Sequence, residues 1–183
     1  MRKKIKGNFK PSITPQDTVK NKKDPGTYER LTFDFSYDRW LKSISIKGFT
    51  NLLKNEEEFA SAIVQVFKDV IPIIQSNWEI IRHNTKLQFP HCHSLAKDKI
   101  ILVNKIIEEI YNKQLMDESG NENLNYWQLG VKQSLRLIAI FDHSTNIIYP
   151  VFLDHFHQIH PSIKHNDNNI NKNTLCAYTK YSG

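Results

Sequence analysis

The thirty-four residues from Trp127 to His160 constrain this chain more than any other segment. Leu135, Leu137, Ala139 and Phe141 alternate there with Arg136, Ile138 and Ile140. That two-residue period sends successive side chains to opposite faces of a strand. Tyr126–Val131 reads as a strand before it. Ile147–His155 reads as another after it, reached through Asp142-His-Ser-Thr-Asn146, whose short polar side chains suit a turn. Three consecutive strands with short connections predict an antiparallel meander.

Upstream the apolar period changes. Leu31-Thr-Phe-Asp-Phe-Ser36 alternates like a strand, and Tyr37–Ile44 reads as a short helix. Asn55 with Glu58 three residues later is a capping signal, and acids in a first turn suit the helix dipole. Phe59, Ile63, Val66, Phe67, Val70, Ile71 and Ile74 then recur at helical spacing. Pro72 is expected to kink or end that helix, with a second piece running through Trp78 and Ile81. Phe89–Ser94 reads as a loop, with Ser94 capping a helix whose apolar face is Ile100, Val103, Ile107 and Ile110. Asp117–Asn123 is a polar connector, and His165–Asn173 is Asn-rich and reads as part of a disordered tail. The expectation is an α+β domain over residues 31–165: a small antiparallel sheet with a helical hairpin on one face. An arm (1–30) and a tail (166–183) flank it.

Charge is unevenly placed. Residues 1–30 hold nine Lys/Arg against three acids, which accounts for the whole net charge of +6. Such an arm suits polyanions through counterion release, or it is a solvated leader. No run of apolar residues approaches the roughly 20 needed to span a bilayer, and no apolar segment follows the basic N-terminus as in a secretory signal. The expected location is the cytoplasm, with no membrane partner and with Cys92 and Cys176 as free thiols.

Chemistry concentrates at the end of the meander. His155, His157, His160 and His165 fall within eleven residues. Imidazole titrates near neutrality and serves as base in one step and acid in the next. RNA is cut without a metal when a base takes the 2′-OH proton, a cation stabilises the phosphorane and an acid protonates the leaving oxygen. Lys132, Arg136, His155, His157 and His160 are the candidate catalytic residues on that logic. Two other readings of the histidines stand beside it. One is a structural cluster. The other is a metal site using His155, His157 and Asp154, with His91-Cys92-His93 as further ligands; the spacing matches no standard zinc site. His91 and His93 read as loop or core-edge residues. No phosphate loop, dinucleotide fingerprint or Gly-flanked serine is present.

From about His91 to Ser162 the chain resembles the RelE/YoeB/HigB superfamily of bacterial toxins, small mRNA interferases of type II toxin–antitoxin systems. The resemblance is carried by His91-Cys-His-Ser-Leu95, by Lys132 and Arg136 in the central strands, and by His155-Phe-His-Gln-Ile-His160. It implies a RelE/ParE-like fold and a metal-independent endoribonuclease without cofactor, acting on mRNA either on or off the ribosome and neutralised by a cognate antitoxin. Arg136 would stabilise the scissile phosphate, with Lys132 in support. His155 and His160 would take the first and last positions of the family's His-Arg-x-x-x-Tyr motif, and His157 that of the basic residue between. The chain departs from that motif at its Arg and Tyr and is nearly twice the usual length. The alternatives are a non-catalytic nucleic-acid- or ribosome-binding protein of a phage or mobile element, and a His-rich metalloprotein.

Overall fold

A computed structural model describes residues 30–83, 88–116, 122–132, 134–161 and 170–182. The expected basic arm, apart from Arg30, lies outside them, as do residues 117–121 of the connector and residues 162–169, including His165.

The meander is present: β5 (Leu124–Leu129), β6 (Arg136–Asp142) and β7 (Ile147–Asp154) pair antiparallel in chain order. Two short strands, β1 (Thr32–Phe33) and β4 (His93–Ser94), complete a five-stranded sheet of order β1-β7-β6-β5-β4. The first runs parallel to β7; the second runs antiparallel to β5. A separate hairpin joins β2 (Ser45–Ile46) to β3 (Phe49–Thr50), with Gly48 supplying the positive φ of 89° in its turn.

The α+β class holds, but the helices divide between the two faces instead of sharing one. The helix α1 (Glu56–Gln65), a π-helical turn (Val66–Val70) and α2 (Ile71–His83) cover one face. Val66, Val70, Ile74, Trp78 and Ile81 pack there on Trp127, Leu137, Ala139 and Phe141. The helix α3 (Lys97–Tyr111) covers the other, where Val103, Ile106, Ile107 and Ile110 meet Tyr126, Ile138, Ile140 and Phe152. Every β6 residue from Arg136 to Phe141 is therefore buried, and such a strand must be apolar on both sides.

Local expectations diverge for identifiable reasons. Asn55 does cap α1, its Oδ1 accepting from the Glu58 amide at 3.0 Å. Pro72 does not end the helix. Proline lacks an amide and crowds the carbonyl four residues back, and the π-helical turn just before it widens the helix at that point. The resulting continuous helix Glu56–His83 is long and apolar enough, by length and composition, to cross a membrane; one side of it forms a core wall. Tyr37–Ile44 forms turns, not a helix. The Ile44 amide donates to Asn51 Oδ1 at 2.7 Å, outside any helical ladder. Ser94 does not cap α3, because the chain stays extended while the Leu95 amide donates to the Tyr126 carbonyl at 2.8 Å; Ala96 occupies the cap position.

The end of the expected tail is docked. Leu175 bridges to Leu53, and the helix α4 (Ala177–Tyr181) buries Ala177. Lys180 pairs with Glu56 at 2.5 Å, an exposed contact worth little by itself. Cys92 and Cys176 are free thiols.

Candidate functional site

Four half-buried imidazoles gather where β4, β5 and β6 end: His91 and His93 from around β4, His157 and His160 from the turn after β7. Ring centroids lie 6.2 Å apart for His91 and His157, 5.0 Å for His93 and His160, and 6.5 Å for His157 and His160. Arg136 underlies them, 2% exposed. Its Nη2 donates to His91 Nδ1 at 3.1 Å and its Nη1 to the Leu135 carbonyl at 2.8 Å. Gly130 makes this placement possible: a Cβ there would stand 2.6 Å from Arg136 Cδ and 3.1 Å from Nη1. Gln128, also buried, links two rings, with Oε1 3.1 Å from His160 Nδ1 and Nε2 3.3 Å from His93 Nε2.

The turn carrying His157 and His160 is organised from inside by Asp154, which stands opposite Arg136 in the β6–β7 register. Its Oδ1 accepts from the Phe156 amide at 3.2 Å and its Oδ2 from the Ile159 amide at 2.9 Å. Outside, the Gln158 side chain accepts from the Thr50 amide at 3.1 Å and donates to the Thr50 carbonyl. Held this way, His157 adopts φ 57°, a left-handed conformation sparsely used by residues with a Cβ. Burial pushes the Asp154 carboxyl up, opposed by the amides of Ile159, Gln158 and Phe156 and by the Arg136 charge. Burial also pulls the Arg136 guanidinium down, opposed by Asp154.

These surroundings keep three of the imidazoles neutral near pH 7. Burial, then Arg136 and His93, lowers His91. Burial, then Arg136, His91, His160 and His93, brings His157 down to about 4. Burial, then His93 and Lys99, lowers His160, with Asp98 opposing from the start of α3.

Of the residues singled out from sequence, Arg136, His157 and His160 come together. His155 does not join them, and among the described residues no hydrogen bond or ion pair ties the Lys132 side chain to them. Lys132 is exposed, and its carbonyl accepts from Gln65 of α1. His155, 8% exposed, faces a cleft of about 460 Å³ shared with Glu57, Glu58, Ser61, Gln65 and Ser134. The cause is a β-bulge. Ile138 pairs with Phe152 but Ala139 with Pro150, leaving Val151 as an extra residue. One extra residue inverts the facing of everything after it, so Tyr149 and His155 do not share the side that simple alternation predicts. His91 and His93, expected as loop or core-edge residues or further metal ligands, belong to the site, and so does Gln128, which the sequence does not single out. The available signal was His91-Cys92-His93 itself: alternation around one buried apolar residue.

A metal centre built on His155 and His157 is not formed, since the two diverge. Cys92 lies in the core, its Sγ donating to the Gly130 carbonyl at 3.1 Å, and burial pushes its thiol up to about 11. Among the described residues, no three His, Cys, Asp or Glu side chains are arranged to hold a metal ion.

The family described as "Uncharacterised protein UU032" matches residues 36–183. The chain belongs to that family. A relative of the same description, from Ureaplasma parvum serovar 3 (strain ATCC 700970), is 27% identical over 183 residues, covering 100% of this chain and 97% of the relative. No solved structure gives a significant match. The family match takes in the whole imidazole cluster, the His155 cleft and the docked C-terminal segment, and begins after the basic arm.

Proposed function

We propose that the cluster of His91, His93, His157, His160 and Arg136 cleaves RNA without a metal, by attack of a 2′-hydroxyl on the adjacent phosphorus. One observation carries the reading: imidazoles, which take and give protons, gather around a guanidinium, and this reaction needs a base, an acid and a cation at one place. His160 takes the 2′-OH proton. The 2′-oxygen–phosphorus bond forms and the phosphorus–5′-oxygen bond breaks. His157, in its imidazolium form, gives its proton to the leaving 5′-oxygen. Arg136, with His91 hydrogen-bonded to it, stabilises the phosphorane. The products are a 2′,3′-cyclic phosphate and a 5′-hydroxyl.

Burial and the neighbouring charges bring His157 down to about 4 and lower His160 as well. The competent form has His157 protonated and His160 neutral, and protonated His157 becomes scarce as the pH rises above about 4. Cleavage is therefore fastest on the acid side of neutrality.

The cellular setting expected from the toxin resemblance, with mRNA or ribosome as target and an antitoxin as partner, is part of the same proposal. Inducible expression followed by transcript mapping tests it. Growth arrest with new transcript ends is the expected result, relieved by His160→Ala. Arrest that persists in His160→Ala with intact transcripts favours the non-catalytic binding protein instead.

A further inference from the structure

Gln128 writes a defined tautomer into the site, and the direction of its amide follows from a single acceptor. His93 Nδ1 lies 3.1 Å from the Ser94 carbonyl oxygen. A carbonyl only accepts, so the neutral form of His93 with this contact has its proton on Nδ1 and a bare Nε2. The bare Nε2 must then accept from Gln128 Nε2. That orients the amide so that Gln128 Oε1 accepts from His160 Nδ1. Neutral His160 is left with its proton on Nδ1 and a free lone pair on Nε2. Arg136 imposes the reverse at His91. A guanidinium only donates, so His91 Nδ1 accepts and its proton resides on Nε2.

We infer that Gln128 is the positioning residue of this site. The relay Ser94–His93–Gln128–His160 presents His160 Nε2 as a ready base, while Arg136 makes His91 Nε2–H a fixed hydrogen-bond donor. The site thereby has a built polarity, with an acceptor on one side and a donor on the other. In use, this assigns the 2′-OH proton to His160 Nε2 and a phosphate oxygen to His91 Nε2–H, and to that extent it rests on the proposed RNA cleavage. The relay itself does not. Gln128 is 1% exposed, so no water competes easily for its amide.

Side-chain ¹⁵N NMR of the full-length protein at neutral pH reads the tautomers directly, without substrate. The expected spectrum has His160 protonated at Nδ1 and bare at Nε2, and His91 the other way round. His160 found with its proton on Nε2 in the wild type overturns the inference. In Gln128→Leu the His160 preference is expected to vanish and turnover to fall by about 10-fold or more, with KM little changed, because a misplaced tautomer removes the base without removing the binding groups. Gln128→Glu places a carboxylate beside His160, which also faces His93, Asp98, Lys99 and Arg136. The pH–rate profile is expected to move toward higher pH. An unmoved profile and an unchanged His160 tautomer in both variants also overturn it. Correct tautomers in a wild type that leaves RNA intact sustain the relay and defeat the cleavage reading, so the two failures are distinguishable.

Discussion

His155 and His157 are two residues apart in the chain and belong to different surroundings. His155 sits on the α1 side of the sheet, in a cleft beside Glu57 and Glu58, and among the described residues its ring meets that of Phe156 alone. His157 faces His91 and His160 above Arg136. Both are brought down to about 4, but by different means: burial alone for His155, burial plus neighbouring positive charge for His157. The contrast teaches that a depressed imidazole is not by itself a sign of chemistry. What separates the two is company, and company is decided by the bulge at Val151 and the turn closed by Asp154.

Breaking that turn is expected to have the largest effect. Asp154→Ala removes a fully buried carboxylate that accepts from the Phe156, Gln158 and Ile159 amides and stands opposite Arg136 in the register. A loss of about 3 kcal/mol is expected when buried amides lose a charged acceptor. Chemical denaturation measures it; a loss under ~1 kcal/mol shows that the turn is held by Gln158 and Thr50 instead.

Next come the histidines themselves. His160→Ala is expected to lower RNA cleavage by about 10²–10⁴-fold, the usual range for a proton-transfer group. His155→Gln and Lys132→Ala are expected to stay within about threefold of the wild type. Equal losses from His155→Gln and His160→Ala would erase the distinction between the two regions. Gly130→Ala sharpens it further. The added methyl must displace the Arg136 side chain, and a drop of roughly 10-fold in turnover is expected, on the view that small displacements of charge-stabilising groups matter. Circular dichroism checks that the fold is kept.

The smallest effect expected is on stability against pH. His155 and His157 have folded values of about 4 against 6.5 ordinarily. Between those values the unfolded chain binds protons that the folded chain does not, so stability rises with pH. It is fully present above pH ~6.5 and lost as the pH falls toward 4. The thermal midpoint should drop across that window, and His155→Phe should make the drop shallower. A midpoint that rises on acidification contradicts the burial assigned to both rings.

Much of this arrangement was legible beforehand. The alternation in Leu135–Phe141 and the polar turn at 142–146 place the central strands to within a residue or two. The apolar character of both faces of that strand carried one more message, that helices lie on both sides. What escaped detection has a shared cause. The pair His93–Ser94 is too short to show a period, and its strand state comes entirely from pairing with Gln128 and Trp127. The bulge at Val151 does not show in the apolar pattern, and its one mark is Pro150, which lacks an amide and within a sheet is confined to edges, strand starts and bulges. Arg136, by contrast, stood out as a lone cation in an apolar strand, and it does lie at the centre of the cluster. The Tyr37–Ile44 segment shows the opposite error. Trp40 and Ile44 are buried at helical spacing, but the Ile44 amide is taken by a side chain seven residues on.

The most direct test is to incubate the purified full-length protein with a defined, end-labelled RNA in the presence of a chelator and to identify the new ends. Fragments ending in 2′,3′-cyclic phosphate and beginning with 5′-hydroxyl are expected, formed fastest below pH ~6.5 and reduced by about 10²-fold or more with His160→Ala. Intact RNA across that range, or cleavage that stops on chelation, contradicts it.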